Sequence, residues 1–176
     1  AGDAWKVLQP HQSHDVGEVN GESLSAQDYQ SLVEEYTEVV KFSRGTSALT
    51  DEENNQIKDE VWRNYVNNKL IENEAKKLGI SVSKAEIQAI IDAGVHPMLQ
   101  QTPFRNPQTG AFDKDMLKKF LVDYSKMNTA QMPAQYAEYY QSMYKFWSFL
   151  EKQLIQNRLA EKYQALVSKS LFSNPV

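Results

Sequence analysis

The feature that most constrains the fold is an uninterrupted stretch from Pro133 to about Leu171. It contains no glycine, and Pro133 suits the first turn of a helix because its φ is fixed and it lacks a backbone donor. At about 1.5 Å per residue, one helix over this stretch would be roughly 55 Å long. A compact domain of this chain length is only about 40 Å across. The sequence therefore predicts a long C-terminal helix that projects beyond its own domain.

The long helix carries an unusual number of aromatic residues. One set has the i, i+3, i+4 spacing of a single buried stripe, and its members are Tyr136, Tyr140, Met143, Tyr144, Trp147, Leu150 and Leu154. Tyr139, Phe146 and Phe149 lie on other sides of the helix. A helix that is apolar on several sides needs at least two packing partners, or one partner and a bound client.

Four shorter helices are predicted before the long one, and three of them share a start signal. In each, a hydroxyl residue stands three positions before an acidic residue, in the pairs Ser25 with Asp28, Thr50 with Glu53 and Ser83 with Glu86. These helices are expected to end before Gly45, Gly79 and Gly94, because glycine readily adopts the positive φ of a C-terminal cap. Asp113 is expected to cap the fourth helix.

The same signals define the predicted fold class and the domain boundaries. Residues 16–22 read as a very short strand that ends in the turn Asn20-Gly21. We therefore predict an all-α fold with at most one or two very short strands, in which the four shorter helices pack on the long one. Residues 1–15 are expected to form a flexible lead-in, residues 16–171 a single domain, and residues 172–176 a tail.

A proline-rich loop is predicted between the third and fourth helices, at residues 95–112. Its three prolines exclude a continuous helix, and loops of this length are often functional or mobile. Together with the extra aromatic residues of the long helix, the loop predicts a surface for binding polypeptides. The candidate residues are Met98, Phe104, Tyr139, Phe146 and Phe149. Each of them is also a natural core residue, so packing is the competing interpretation.

Composition argues against several partners. The formal net charge of −4 and the pI near 5.4 would attract neither nucleic acid nor an anionic membrane. The chain has no cysteine, which excludes disulfides and thiolate chemistry. No apolar run approaches the roughly 18 residues of a membrane span. Any membrane attachment is expected to depend on an anchor outside this chain.

The search for catalytic residues predicts none. The chain lacks G-x-S-x-G, a Walker-type loop, H-E-x-x-H and a dinucleotide fingerprint. His11, His14 and Asp15 have the spacing of metal ligands, but a polar lead-in does not hold ligands rigidly, and a solvated arm is the better interpretation. His96 lies among apolar residues and is interpreted as a partly buried structural histidine. Neither a metal nor another cofactor is expected.

Three segments carry a resemblance to a known family. Residues 16–29, with the sequence VGEVNGESLSAQDY, resemble the opening of the N-terminal chaperone domain of SurA- and PpiD-type periplasmic peptidyl-prolyl isomerases. Residues 78–87, LGISVSKAEI, are similar to the link into the third helix of that domain. Residues 104–113, FRNPQTGAFD, are similar to the turn before its fourth helix.

The resemblance implies a periplasmic chaperone module that holds unfolded envelope or outer-membrane polypeptides. It implies that the intact protein carries a parvulin-type isomerase domain after the long helix, and an upstream segment that tethers it to the inner membrane. This chain has no parvulin sequence, so it is not expected to be an enzyme. A homodimer formed by strand-edge pairing or element swapping is a further expectation. The alternative function is a helical scaffold that docks one folded partner.

Overall fold

The computed structural model describes residues 15–19 and 22–172. Within these ranges it contains five α-helices and one two-stranded sheet, which confirms the predicted all-α class. The antiparallel strands are β1 (Asp15–Val19) and β2 (Glu22–Ser25). The helices are α1 (Ala26–Arg44), α2 (Asp51–Lys77), α3 (Lys84–Ala93), α4 (Lys114–Lys126) and α5 (Ala134–Phe172). Short 3-10 helices cover Pro97–Gln101 and Thr129–Gln131.

The predicted helix caps are present. The Ser25 hydroxyl accepts a hydrogen bond from the Asp28 amide at 3.0 Å, and Gly45 ends α1 with a φ of +66°. Reciprocal capping boxes open α2 at Thr50 and Glu53 and α3 at Ser83 and Glu86, while Asp113 caps α4. The helix boundaries therefore follow local side-chain chemistry, as expected from the sequence.

The chain divides into two compact units, Ala1–Lys77 and Leu78–Val176. The single domain expected over residues 16–171 stays a prediction. The turn at Asn20-Gly21, the histidine cluster at His11 and His14, and most of the expected lead-in and tail lie outside the described residues.

The first unit is built on the hairpin of α1 and α2. Val33, Ile57 and Val61 form its buried cluster. Two tyrosines of α1 add hydrogen bonds to α2, since the Tyr29 hydroxyl donates to the Lys58 carbonyl at 3.0 Å and the Tyr36 hydroxyl donates to Glu60 at 2.7 Å. Burial, with a smaller contribution from Glu60, raises the pKa of Tyr36 to about 12.

In the second unit, α3 and α4 both contact α5, and the predicted loop contributes to the core. Leu99, Leu117 and Leu154 are its most completely buried large side chains. Leu99 belongs to the loop, as do Phe104 and Phe112, which are also buried. A backbone bridge between Arg105 and Phe112 closes the turn of the loop. Buried side chains therefore pin the loop to its own unit.

Glu86 joins the start of α3 to the middle of α5. Its carboxylate accepts hydrogen bonds from the Ser83 amide at 2.8 Å, from Lys162 Nζ at 2.9 and 3.1 Å, and from Arg158 Nε at 3.3 Å. Lys162 also donates to the Ser81 carbonyl at 2.6 Å. These bonds favour the ionised carboxylate, and the Ser83 amide, followed by Lys162, lowers the pKa of Glu86 to about 2.

This cluster predicts a specific acid dependence of stability. Because the pKa of Glu86 falls from 4.5 to about 2 on folding, its contribution is complete above about pH 4.5 and is lost as the pH falls towards 2. The Glu86→Gln variant should therefore show a weaker fall in melting temperature between pH 4.5 and pH 2 than the unmodified chain. Lys162→Met should weaken the same fall, because it removes a partner of the ionised form. If the melting temperature of both variants falls as steeply between pH 4.5 and pH 2 as that of the unmodified chain, this role of Glu86 is contradicted.

Candidate polypeptide-binding site

A continuous series of aromatic rings connects the core of the second unit to its surface. Phe104 lies 5.4 Å from Phe120 and 6.4 Å from Trp147, measured between ring centroids. Phe120 lies 5.8 Å from Tyr124, whose ring stacks on Tyr144 of α5 at 4.5 Å and 14° between planes. Offset or stacked pairs of this kind hold aromatic side chains in fixed positions. The outer rings are therefore supported from the core.

Where this series reaches the surface, it meets a group of tyrosines formed by Tyr124 of α4 and four tyrosines in the first part of α5. We call this group the tyrosine patch, and it consists of Tyr124, Tyr136, Tyr139, Tyr140 and Tyr144. Tyr136 is 60% exposed and Tyr139 is 51% exposed. Tyr139 packs edge-on against Tyr140 at 5.6 Å. The patch offers aromatic faces and hydroxyl groups at the protein surface.

The structure assigns two of the five predicted binding residues to the core. Phe104 is 3% exposed and Phe146 is 5% exposed, so neither can contact a client in this conformation. Met98 and Phe149 are half-buried, and Tyr139 alone is largely exposed. The prediction that all five are the less buried part of one surface is wrong. The physical reason for Phe104 is the loop, which inserts its ring between Phe120 and Trp147.

The predicted buried stripe of α5 is also wrong at two positions. Tyr136 and Tyr144 are exposed, whereas Met143, Trp147 and Leu150 are buried as expected. Tyr136 and Trp147 are three turns apart on the same face of the helix. Burial on this face therefore depends on the position along α5, and periodicity alone does not contain that information. The two exposed members of the stripe, Tyr136 and Tyr144, belong to the tyrosine patch.

A second feature of this unit is an apolar groove between α3 and α5, with a volume of about 430 Å³. The sequence did not predict this groove. Its walls are mostly apolar, and its lining consists of Glu86, Ala89, Ile90, Ala93, Val95, His96, Arg158 and Glu161. Val95, which directly follows the positive-φ cap at Gly94, is 81% exposed. A large aliphatic side chain placed directly after a glycine cap is the one sequence signal for this groove.

His96 has the structural role that the sequence predicts and also lines the groove. It is partly buried, and its Nδ1 accepts a hydrogen bond from the Met98 amide at 3.1 Å. In the neutral ring the proton therefore resides on Nε2. Gln100 fixes the same segment by donating to the Gly94 carbonyl at 2.9 Å.

The first unit has a different kind of groove, of about 680 Å³, between α1 and α2. Charged and amide side chains dominate its lining, which includes Glu34, Glu38, Lys41, Asp51 and Lys58. Such a surface is well hydrated and gains little by burying apolar side chains. The tyrosine patch and the apolar groove described above both lie in the second unit.

The described residues offer neither a metal cluster nor a membrane span. Among residues 15–19 and 22–172, no group of three or more His, Asp or Glu side chains is placed to hold a metal ion. Over the same ranges, every helix is too short or too polar to cross a lipid bilayer.

A family model described as the SurA-like N-terminal domain matches residues 3–121. The chain belongs to the SurA-like N-terminal domain family. No curated protein and no solved structure matched it. The family match ends within α4, so the SurA-like assignment is independent of α5 and its tyrosines.

Membership of this family defines the function at a coarse level. A SurA N-terminal domain is a chaperone-type module without catalytic residues, which supports the prediction that this chain is not itself an enzyme. For a SurA-like module, the useful surface is one that can bury the apolar side chains of another polypeptide. In the described part of the second unit, the tyrosine patch and the apolar groove are two surfaces with that property.

Proposed function

We propose that this domain binds unfolded or partly folded envelope polypeptides, including outer-membrane proteins, as the chaperone module of a periplasmic foldase. On this proposal the intact protein is tethered to the inner membrane by an upstream segment and carries a parvulin isomerase domain. Membership of the SurA-like N-terminal domain family supports the assignment to chaperone-type modules. The observation that carries client binding is the exposed tyrosine patch.

Tyrosine suits a surface that must accept many sequences. Its ring buries a large apolar area with little loss of conformational freedom, and its hydroxyl can bond to any exposed backbone group. Tyr124 and Tyr144 are stacked before a client arrives, so their ordering does not oppose binding. A client without fixed shape can therefore gain contacts here without matching a rigid pocket.

We expect the Tyr136→Ser/Tyr139→Ser double variant to bind an unfolded outer-membrane protein about tenfold more weakly than the unmodified domain. Both rings are more than half exposed, so their removal deletes contact area and leaves the core intact. Binding would be measured by fluorescence anisotropy of a labelled, urea-diluted client. Circular dichroism would establish that the melting temperature changes little.

A matched control removes two other exposed apolar side chains. Leu78 and Leu171 are 50% and 72% exposed and lie outside the tyrosine patch. The Leu78→Ser/Leu171→Ser variant should retain the affinity of the unmodified domain. Equal weakening by both double variants would indicate non-specific adhesion, and full retention by the tyrosine variant would refute the patch as the client site.

A further inference from the structure

The apolar groove between α3 and α5 is a second candidate surface, separate from the tyrosine patch. We propose that it holds an extended client segment in which an apolar side chain is directly followed by a lysine or arginine. This inference rests on the proposed function and adds a sequence preference to it. Its three supports are the apolar lining, the polar groups at the rim and the distribution of charge.

The lining fits an aliphatic side chain. Ala89 and Ala93 stand one turn apart on α3, and their small side chains leave room beside Ile90 and Val95. A volume of about 430 Å³ lies within the range of about 300–1,000 Å³ typical of ligand sites. Burying an aliphatic side chain here removes its apolar area from water, together with that of the exposed Val95.

The rim provides the hydrogen-bonding groups that an extended backbone needs. Because His96 Nδ1 accepts from the Met98 amide, its Nε2 is left as a donor that suits a peptide carbonyl. Glu161 supplies a carboxylate acceptor on the opposite element, α5. A peptide backbone carries both a donor and an acceptor at each residue, so it can use both groups at once.

The charge distribution favours a cation beside the apolar side chain. Of the two carboxylates that line the groove, Glu86 already accepts from Ser83, Lys162 and Arg158. Glu161 has a longer contact of 3.5 Å with Arg158, which also donates to Glu86, and its side chain is 54% exposed. Glu161 is therefore the carboxylate better placed to pair with a client, and a lysine or arginine is its complement.

The test uses three fluorescein-labelled peptides with the same flexible Gly-Ser sequence on both sides of two central residues. The central residues are Leu-Lys, Leu-Glu or Ser-Lys, and each peptide is named after them. The unmodified domain should bind Leu-Lys about threefold more tightly than Leu-Glu, as expected for a partly exposed ion pair. It should bind Ser-Lys more weakly than Leu-Lys. The Glu161→Lys variant should reverse the preference between Leu-Lys and Leu-Glu, whereas Glu138→Lys, which makes the same charge change elsewhere on α5, should not.

A groove-filling variant supplies the second arm. Ala93 is exposed, so Ala93→Leu should fold normally, fill the groove and weaken binding of Leu-Lys and Leu-Glu alike. A preference that is unchanged by Glu161→Lys, or binding that is unchanged by Ala93→Leu, would overturn the proposal. A concentration-dependent dimer that Ala93→Leu abolishes would also overturn it, by assigning the groove to a second copy of the chain.

The two proposals fail separately. If the unmodified domain binds unfolded outer-membrane protein and the groove variants leave peptide selection unchanged, only the groove preference is refuted. If neither the unfolded protein nor any peptide binds the unmodified domain, the proposed chaperone function fails as well.

Discussion

The Phe104→Ala variant is expected to lose about 3–5 kcal/mol of its free energy of unfolding. Phe104 is almost completely buried, and its ring packs on both Phe120 and Trp147. Removing it leaves a cavity at the point where the proline-rich loop enters the core. The loss would be measured by urea denaturation followed by far-ultraviolet circular dichroism.

Tyr139→Ala is the matched control, because Phe104 and Tyr139 were both predicted to bind clients and only Tyr139 is exposed. Its free energy of unfolding should change by less than about 1 kcal/mol. A Phe104→Ala variant that keeps its stability and binds unfolded protein less well would return Phe104 to the binding surface. That result would mean that the loop opens in solution.

The second large effect is expected at Gly17, in the first unit. A Cβ atom added to Gly17 would overlap the Trp62 Cη2 atom and lie within 3 Å of two further indole atoms. The ring would have to move away from β1, and overpacking of this kind typically costs about 1–3 kcal/mol. Gly17→Ala should therefore lower the urea midpoint, and Glu18→Ala, an exposed change at the next position of β1, should not.

A double-mutant cycle identifies the cause. In a Trp62→Leu background, the same Gly17→Ala change should cost less than about 1 kcal/mol, because the clashing indole atoms are gone. An equal cost in both backgrounds would place the effect in the backbone of the strand instead.

The sequence predicted helix boundaries well because caps are local. The hydroxyl of Ser83 and the carboxylate of Glu86 are three residues apart, and the bonds that they make to each other's backbone follow from that spacing alone. Gly45 and Gly94 end their helices for an equally local reason. The all-α class follows once such boundaries are known.

Side-chain burial was predicted less well because it depends on contacts between elements. Tyr139 and Phe146 are seven residues apart and share a face of α5, yet the first is exposed and the second is buried. Periodicity identifies the face, but it does not say at which turn the neighbouring elements begin to cover it. The five candidate residues therefore divided between core and surface.

The apolar groove was missed for a related reason. Its lining brings residues 86–96 of the sequence next to Arg158 and Glu161, more than sixty positions later. Small residues such as Ala89 and Ala93 give no signal by themselves, since alanine is common in any helix. Only the packing of α3 beside α5 turns them into a surface.

The far end of α5 has a different consequence. Every residue from Gln164 to Leu171 is exposed, so this segment owes its helical form mainly to its own backbone hydrogen bonds. Amide protons in those turns should exchange with solvent through local fraying, while amides near Leu154 should exchange only through larger openings. The long helix α5 thus combines a long anchored portion with about two C-terminal turns that can bend or unwind at little cost in free energy, without disturbing the aromatic core.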